Sequence, residues 1–350
     1  MMKALVMEEY GGFVYRDWPR PMPGPGEVLV RVKACAVCGS DVHGMDGSTK
    51  RRQPPLIMGH EAAGQIAALG PGVQDFKVGD RVTFDSTVYC NACENCRAGR
   101  INLCASRQVL GVSTGEYRRH GAFAEYVAVP SYILYRLPDT VSYRQAAMVE
   151  PLAIAYHAAT RTPIGPGDSV LIAGVGTIGM LTLQVVKAMG AGPITVVDLD
   201  EGKLEKARGL GASAAFQATA PELIKQVRAA SPDGQGPHVA LDCTGIGDTL
   251  NLCLMALRLG GQAVLVGNIA PEVPFPLQAV VTRELSLFGS CSCAGEYGRC
   301  LELIASGAVE VDSLISKAVP LREGNQWIQK VYRGEEGLTK IMLLMDDSDG

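Results

Sequence analysis

The chain has 350 residues, of which 47% are hydrophobic and 19% charged, and its formal net charge is −4. This is the composition of an ordinary globular protein, and the length suggests two domains. The slightly acidic balance argues against a general role in nucleic-acid binding.

The first ten residues include a short apolar run that Glu8 and Glu9 interrupt, unlike the core of a secretory signal peptide. No window of the sequence holds the roughly 20 uncharged apolar residues that a membrane span needs. We therefore expect a cytoplasmic protein without a membrane partner. In that compartment the 11 cysteines should be metal ligands or buried side chains rather than disulfides.

The part of the chain before about residue 141 predicts an irregular, mostly β domain. Short β-branched or alternating runs between Gly and Pro turns predict strands at residues 27–34, 60–69, 80–88 and 122–130. Residues 142–159 are rich in alanine and predict a helix, with a break or kink at Pro151.

From Ser169 onward, strands and helices alternate. Predicted strands lie at residues 170–173, 194–198, 238–243, 261–267 and 284–289. Predicted helices lie at residues 178–189, 201–210 and 248–259. This alternation predicts a parallel sheet with both faces covered. A helix at residues 296–306 and a last strand at residues 340–345 follow.

Reactive side chains are concentrated between Cys38 and Glu61. Within 24 residues lie Cys38, Ser40, His43, His60 and Glu61. Cysteine, histidine and glutamate are the ligands that hold zinc while leaving a position open for water or substrate. Ser40 and His43 are close enough in sequence to pass a proton from such a site to solvent.

Two features inside this segment have more than one interpretation. The basic run Lys50-Arg51-Arg52 is either a solvated loop or a site for a phosphate or carboxylate on the substrate. Asp41 stands between Ser40 and His43, and we interpret it as a turn residue or a carboxylate behind the metal ligands.

A dinucleotide fingerprint begins at Gly174. Gly174, Gly176 and Gly179 follow an apolar predicted strand and open a predicted helix, and Ile178 lies within the same motif. Gly174 should make the tight turn, Gly176 should admit the pyrophosphate, and Gly179 should allow close packing of helix on strand. Asp198 follows the last glycine by 19 residues and would bind the ribose hydroxyls, so NAD is favoured over NADP.

Four cysteines with a compact spacing form the second candidate metal site. Cys90, Cys93, Cys96 and Cys104 follow the pattern C-x2-C-x2-C-x7-C, which predicts a closed, structural zinc site. An iron–sulfur cluster and a nucleic-acid zinc module are the alternatives. No proline follows Cys104 and there is no second cluster, which disfavours the first, and the acidic charge disfavours the second.

Taken together, these motifs resemble a known family, the zinc-dependent medium-chain dehydrogenases/reductases, in its sorbitol (polyol) and threonine dehydrogenase branch. The resemblance is carried by residues 38–43, 59–61, the four-cysteine lobe, residues 123–126, 150–152 and 174–179, and Asp198. It implies an α/β fold with a doubly wound parallel Rossmann sheet and an irregular, mostly β, GroES-like catalytic domain. The implied boundaries are residues 1–152 for the catalytic domain with a zinc lobe at 89–105, 153–289 for the NAD-binding domain, and 290–350 for the return to the catalytic domain.

The resemblance also implies roles for individual residues. Cys38, His60, Glu61 and Glu150 are implied at the catalytic zinc, without deciding which glutamate is the ligand. Ser40 and His43 would form the proton relay, and Lys203 would steady the adenosine ribose. Two zinc ions per chain and NAD are the implied cofactors, and a homodimer or homotetramer the implied assembly.

The implied reaction is hydride transfer between NAD and a secondary alcohol or its ketone, with a sorbitol-, xylitol- or galactitol-like polyol as substrate. A polyol phosphate and L-threonine are alternative substrates. The alternative from another class is a dehydrogenase-like binding or structural protein with little turnover. We expect His157 to pack or form hydrogen bonds. We expect the remaining cysteines to be small buried residues: Cys35, Cys243, Cys253, Cys291, Cys293 and Cys300.

Overall fold

The computed structural model describes residues 1–112 and 119–345. The chain divides into two compact units. The first, which we call the discontinuous unit, combines Met1–Glu150 with Tyr297–Gly350, and the second, the continuous unit, is Pro151–Glu296. Among the described residues, no helix is both long and apolar enough to cross a membrane.

The discontinuous unit is built mainly from β-strands. A seven-stranded sheet has the path Leu134–Arg136, Arg81–Phe84, Glu61–Leu69, Glu27–Ala36, Ile341–Leu344 and Lys317–Pro320, with Tyr126–Pro130 also paired to Glu27–Ala36. Smaller sheets join Val14–Trp18, Met2–Met7 and Leu56–Ile57, and Thr87–Val88 with Gln108–Val109. Apolar side chains from these sheets and their connections, including Leu5, Phe84 and Phe123, form one buried core.

Short helices connect these strands. They are Gly39–Gly44, Glu94–Arg97, Tyr143–Ala147, Tyr297–Ala305 and Gly324–Tyr332, with 3-10 turns at Ile101–Leu103, Ser131–Ile133, Asp312–Leu314 and Leu321–Glu323. Ser142 caps the helix Tyr143–Ala147 through a reciprocal bond with Gln145, which explains why the helix starts there. A further helix, Val149–Ala159, begins directly after Met148, the residue that ends the helix Tyr143–Ala147.

The continuous unit is organised around a six-stranded parallel sheet. Its spatial order is Ala214–Gln217, Ile194–Asp198, Val170–Ala173, Val239–Asp242, Gln262–Leu265 and Ser286–Gly289. The helices are Thr177–Ala188, Glu201–Leu210, Leu223–Ala229, Gly247–Ala256 and Leu277–Thr282. In chain order the strands run 3-2-1-4-5-6, the doubly wound order of dinucleotide-binding domains, so the predicted Rossmann sheet is confirmed.

The predicted break at Pro151 is wrong. The helical stretch is interrupted at Met148, between Tyr143–Ala147 and Val149–Ala159. Pro151 lies in the first turn of the second helix, where the missing proline N–H removes no intrahelical bond. The sequence pattern does not predict several short or weakly patterned elements, among them Ala214–Gln217, Leu223–Ala229, Leu277–Thr282, Lys317–Pro320 and Gly324–Tyr332.

Candidate functional site

The register of the large sheet brings the two ends of the Cys38–Glu61 segment together. The strand that ends at Ala36 leads into Cys38, and the neighbouring strand begins at Glu61. Ala36 and Glu61 are paired in antiparallel register. Cys38 and the His60–Glu61 pair therefore lie at the same end of two adjacent strands.

Three of the predicted ligands converge there. One possible ligand atom each from Cys38, His60 and Glu61 lies within 4.8 Å of the other two. His60 and Glu61 are buried and Cys38 is half-buried, so the group has an accessible side. A thiolate, an imidazole and a carboxylate in this arrangement suit zinc with an open fourth position. Glu150 is buried but lies outside this group.

A lysine that the sequence analysis did not single out completes the surroundings of Glu61. Lys340 Nζ donates to both carboxylate oxygens of Glu61, at 2.7 Å and 2.9 Å. The two side chains are 4% and 1% exposed. Lys340 directly precedes the strand Ile341–Leu344, which pairs with Glu27–Ala36. The sheet thus joins residues 279 positions apart, and no local sequence pattern signals the pair.

Burial and neighbouring charges shift several pKa values at this centre, among them those of Glu150 and His60. Burial raises the pKa of Glu150 to about 8, with opposition from the charge of His60 and reinforcement from that of Glu61. Burial would lower the pKa of His60, but the charges of Asp41 and Cys38 outweigh it and raise that pKa well above its ordinary value. The charges of Asp41 and Cys38, which favour the protonated form of His60, would equally favour a bound cation at this point.

The predicted relay residues lie on the short helix Gly39–Gly44. The Cys38 thiol caps this helix by accepting a hydrogen bond from Ser40 N at 3.5 Å, and the Asp41 carboxylate accepts from Cys38 N at 3.2 Å. Ser40 and His43 are both exposed. The helix therefore fixes Ser40 and His43 relative to the thiol and leaves both side chains open to solvent.

Asp41 and Arg52 are buried side chains next to Ser40, one of the two predicted relay residues. Asp41 Oδ1 lies 3.3 Å from His60 Nδ1 and 3.5 Å from the Arg52 guanidinium. Arg52 also donates to Ser40 Oγ at 3.1 Å. Asp41 is therefore a carboxylate behind His60, one of the two interpretations given above. The solvated-loop interpretation of the basic run is wrong for Arg52, which is 3% exposed, whereas Lys50 and Arg51 are exposed.

The four cysteines of the lobe also converge. The sulfur atoms of Cys90, Cys93, Cys96 and Cys104 all lie within 4.8 Å of one another. The Cys90–Cys96 and Cys93–Cys96 sulfur separations are 3.9 Å and 3.5 Å. Tetrahedral zinc–thiolate bonds of about 2.3 Å place sulfurs about 3.8 Å apart. The lobe thus fits a closed zinc site without rearrangement.

The glycine-rich loop has the geometry that its pattern predicts. Gly174 has φ +86°, a left-handed conformation that suits glycine. A Cβ on Gly179 would lie 2.0 Å from the carbonyl oxygen of Gly174, so only glycine allows this close packing. A Cβ on Gly176 would meet nothing within 4 Å among the described residues. No neighbour in the described part of the chain requires glycine at 176, which is consistent with space kept for a ligand.

Asp198 forms a hydrogen bond with the backbone of this loop. Its carboxylate accepts hydrogen bonds from Val175 N at 2.7 Å and from Asp200 N at 3.0 Å. Lys203 Nζ lies 3.9 Å from Asp200. Gly174, Gly176, Asp198 and Lys203 line one cavity of about 1300 Å³, which is large enough for a dinucleotide moiety. Ile178 is half-buried in the first turn of the helix Thr177–Ala188.

The other histidine and cysteine predictions have mixed outcomes. His157 Nδ1 lies 2.7 Å from Glu296 Oε1, so the expected hydrogen bond is confirmed. Burial is confirmed for Cys35, Cys253, Cys293 and Cys300. Cys243 is only half-buried, and the prediction is wrong for Cys291, which is exposed.

Substitution of the loop glycines by serine should separate folding from binding. Gly179→Ser should destabilise the continuous unit by about 2 kcal/mol, because its Cβ collides with the backbone of Gly174. Gly176→Ser should leave the melting temperature nearly unchanged, because it meets no clash and serine is a favoured N-cap. It should instead weaken dinucleotide binding about tenfold or more, measured by titration of cofactor fluorescence. Equal binding by wild type and Gly176→Ser would contradict the assignment of this loop.

This chain matches two protein families and is similar to curated dehydrogenases over nearly its whole length. The family described as "Alcohol dehydrogenase GroES-like domain" matches residues 24–139, and the family described as "Zinc-binding dehydrogenase" matches residues 177–306. Sorbitol dehydrogenase from Bacillus subtilis is 33% identical over 347 residues, which cover 98% of this chain and 97% of that protein.

Solved structures of dehydrogenases also superimpose on nearly the whole chain. Alcohol dehydrogenase TADH from Thermus sp. ATN1 superimposes with a TM-score of 0.91 at 32% identity, covering 98% of this chain and 99% of that one. Galactitol-1-phosphate dehydrogenase from Escherichia coli superimposes with a TM-score of 0.91 at 25% identity, covering 98% of this chain and all of the other.

Proposed function

We propose that this chain, which belongs to the zinc-binding alcohol dehydrogenase family, interconverts a secondary alcohol and its ketone with NAD, and that the alcohol is a polyol. The observation that carries the proposal is the convergence of Cys38, His60 and Glu61 on one point beside an accessible relay helix. The similarity to sorbitol dehydrogenase over nearly the whole chain supports a polyol of the sorbitol, xylitol or galactitol kind.

In this proposal Cys38, His60 and Glu61 hold a catalytic zinc ion. Bound zinc supplies Lewis acidity, which lowers the pKa of an alcohol toward neutrality. The geometry favours Glu61 over Glu150 as the carboxylate ligand, because Glu150 lies outside the converging group. The four cysteines of the lobe hold a second, structural zinc ion. Metal analysis should therefore find two zinc ions per chain.

The chain's own residues would move the alcohol proton. Ser40 Oγ accepts it and passes its own proton onward toward His43, whose imidazole takes up a proton at one ring nitrogen and then releases one to solvent. Both side chains are exposed on one short helix, as such a path requires. The bound dinucleotide carries the hydride, while the protein aligns the reacting carbon and excludes water.

The decisive experiment is a substrate panel with zinc-loaded protein. It compares sorbitol, xylitol, galactitol, galactitol 1-phosphate, L-threonine, 2,3-butanediol and a simple secondary alcohol, each with NAD⁺ and with NADP⁺. The proposal expects the highest kcat/KM for an unphosphorylated polyol with NAD⁺. A preference for the phosphorylated polyol would instead implicate the exposed Lys50 and Arg51. Two bound zinc ions without turnover of any alcohol would favour the binding-protein alternative.

Asp198→Asn should reduce the preference for NAD⁺ over NADP⁺. The Asp198 carboxylate would repel a 2′-phosphate, so we expect wild type to favour NAD⁺ by about a hundredfold. Asparagine keeps the side-chain shape and an oxygen that can accept from Val175 N. The ratio of kcat/KM values should then fall by about tenfold. Asp248→Asn, a change to another acidic residue of the same cavity, is the control and should leave the ratio unchanged.

A further inference from the structure

We propose that Arg52 is a positioning residue of the proton relay, whose buried guanidinium fixes the hydroxyl of Ser40. This inference rests on the proposed function. Arg52 stands in a basic run that looks solvent-exposed in sequence, yet its side chain is only 3% exposed. It reaches Ser40 Oγ at 3.1 Å from one side while Ser40 is exposed on the other.

The chemistry of the two groups gives this contact a direction. A serine hydroxyl has one hydrogen to donate and two lone pairs that accept, whereas arginine can only donate. The bond from Arg52 therefore occupies one lone pair of Ser40. One lone pair stays available for a proton from the substrate, and the O–H stays available to donate onward. A relay needs this combination of one acceptor and one donor.

The charge of Arg52 also favours proton transfer through the Ser40 hydroxyl. Arginine remains protonated at any pH at which proteins are handled. A fixed positive charge next to Ser40 Oγ stabilises negative charge that develops there as the proton leaves. The nearby Asp41 carboxylate lies 3.5 Å from the guanidinium and 3.3 Å from His60 Nδ1, so it offsets only part of the positive charge. The guanidinium thus has a counter-charge while one of its donors is directed at the hydroxyl.

Two contacts show that the fold is built around this side chain. A Cβ on Gly44 would lie 2.3 Å from Arg52 Cδ and 2.6 Å from Nε, so the glycine creates the room for the arginine. Gly44 has no positive φ that would otherwise require glycine. Tyr10 Oη also donates to the carbonyl oxygen of Arg52 at 2.9 Å, which fixes the backbone at this point.

A double-mutant cycle between Arg52 and Ser40 tests the inference. Arg52→Met should lower kcat for polyol oxidation about 10- to 100-fold, with a much smaller change in KM. In a Ser40→Ala background, the same substitution should change kcat by less than about threefold, because the hydroxyl it positions is absent. Arg52→Lys keeps the charge but not the planar fork, and should rescue part of the loss.

Gly44→Ala gives a test that retains every charge. Alanine suits a helix, so the expected effect is displacement of the flexible Arg52 side chain rather than unfolding. It should lower kcat about fivefold or more with Ser40 present and leave the Ser40→Ala variant unchanged. Arg333→Met, a change to an exposed arginine in the same unit, is the control and should leave kcat unchanged.

The outcomes separate this inference from the proposed function. Equal losses with Ser40 present and in the Ser40→Ala background, together with lost zinc or a lowered melting temperature, would overturn it and leave Arg52 a structural partner of Asp41. If Arg52→Met does not fold, the Gly44→Ala pair decides. Absence of turnover by the zinc-loaded wild type with every polyol would overturn the proposed function and this inference with it.

Discussion

Cys38→Ser should reduce kcat/KM for polyol oxidation by about a thousandfold or more. The Cys38 sulfur is one of three converging atoms that could hold the proposed zinc ion, and cysteine binds zinc as a thiolate. A serine hydroxyl is not ionised near neutral pH, so the metal would be lost or poorly held. Loss of the Lewis acid removes several kcal/mol of transition-state stabilisation, and about 4 kcal/mol corresponds to a thousandfold. Zinc content should fall from two ions to one per chain.

Cys38→Ser should remove the catalytic zinc ion without disturbing the fold. The Cys38 side chain also caps the helix Gly39–Gly44, and serine is a good N-cap, so the helix should persist. Cys291→Ser, at an exposed cysteine of the continuous unit, is the control and should leave activity and zinc content unchanged. A Cys38→Ser protein with two zinc ions and full activity would place the reaction elsewhere in the molecule.

Much of the fold and part of the site can be predicted because their signals are local. Gly174, Gly176 and Gly179 lie within six residues. Gly174 has a positive φ, a side chain on Gly179 would collide with the backbone of Gly174, and a side chain on Gly176 would meet nothing within 4 Å among the described residues. The ligand types at Cys38, His60 and Glu61 flank strand ends that the hydrophobic pattern also predicts. Adjacent strands in one register are enough to bring such residues together.

The remainder depends on contacts that no short pattern encodes. Lys340 reaches Glu61 only because the last strand pairs with Glu27–Ala36, after most of the chain has intervened. Arg52 resembles any residue of a surface basic run, and its burial depends on the space left by Gly44 and on the charge of Asp41. Sequence therefore indicates the candidate reactive groups, whereas the structure shows which side chains contact them.

Lys340→Met should destabilise the metal-free discontinuous unit by about 3–5 kcal/mol. Lys340 is the hydrogen-bond donor to both Glu61 oxygens, and both side chains are almost fully buried. Its removal leaves a buried carboxylate near Glu150 without its cation, and breaking a buried ion pair in this way costs several kcal/mol. Chemical denaturation of chelator-treated protein, followed by circular dichroism, measures the change in the free energy of unfolding.

Removing both charges shows whether the lost stability comes from the Lys340–Glu61 ion pair or from side-chain packing. Lys340→Met combined with Glu61→Gln should recover much of the lost stability, because no unpaired charge remains buried. Lys77→Met, at an exposed lysine, should change stability by less than about 0.5 kcal/mol. Zinc should reduce the cost of Lys340→Met, because a cation held by Cys38, His60 and Glu61 compensates the same carboxylate. An equal cost with and without zinc would argue against Glu61 as a ligand and would return Glu150 to that role.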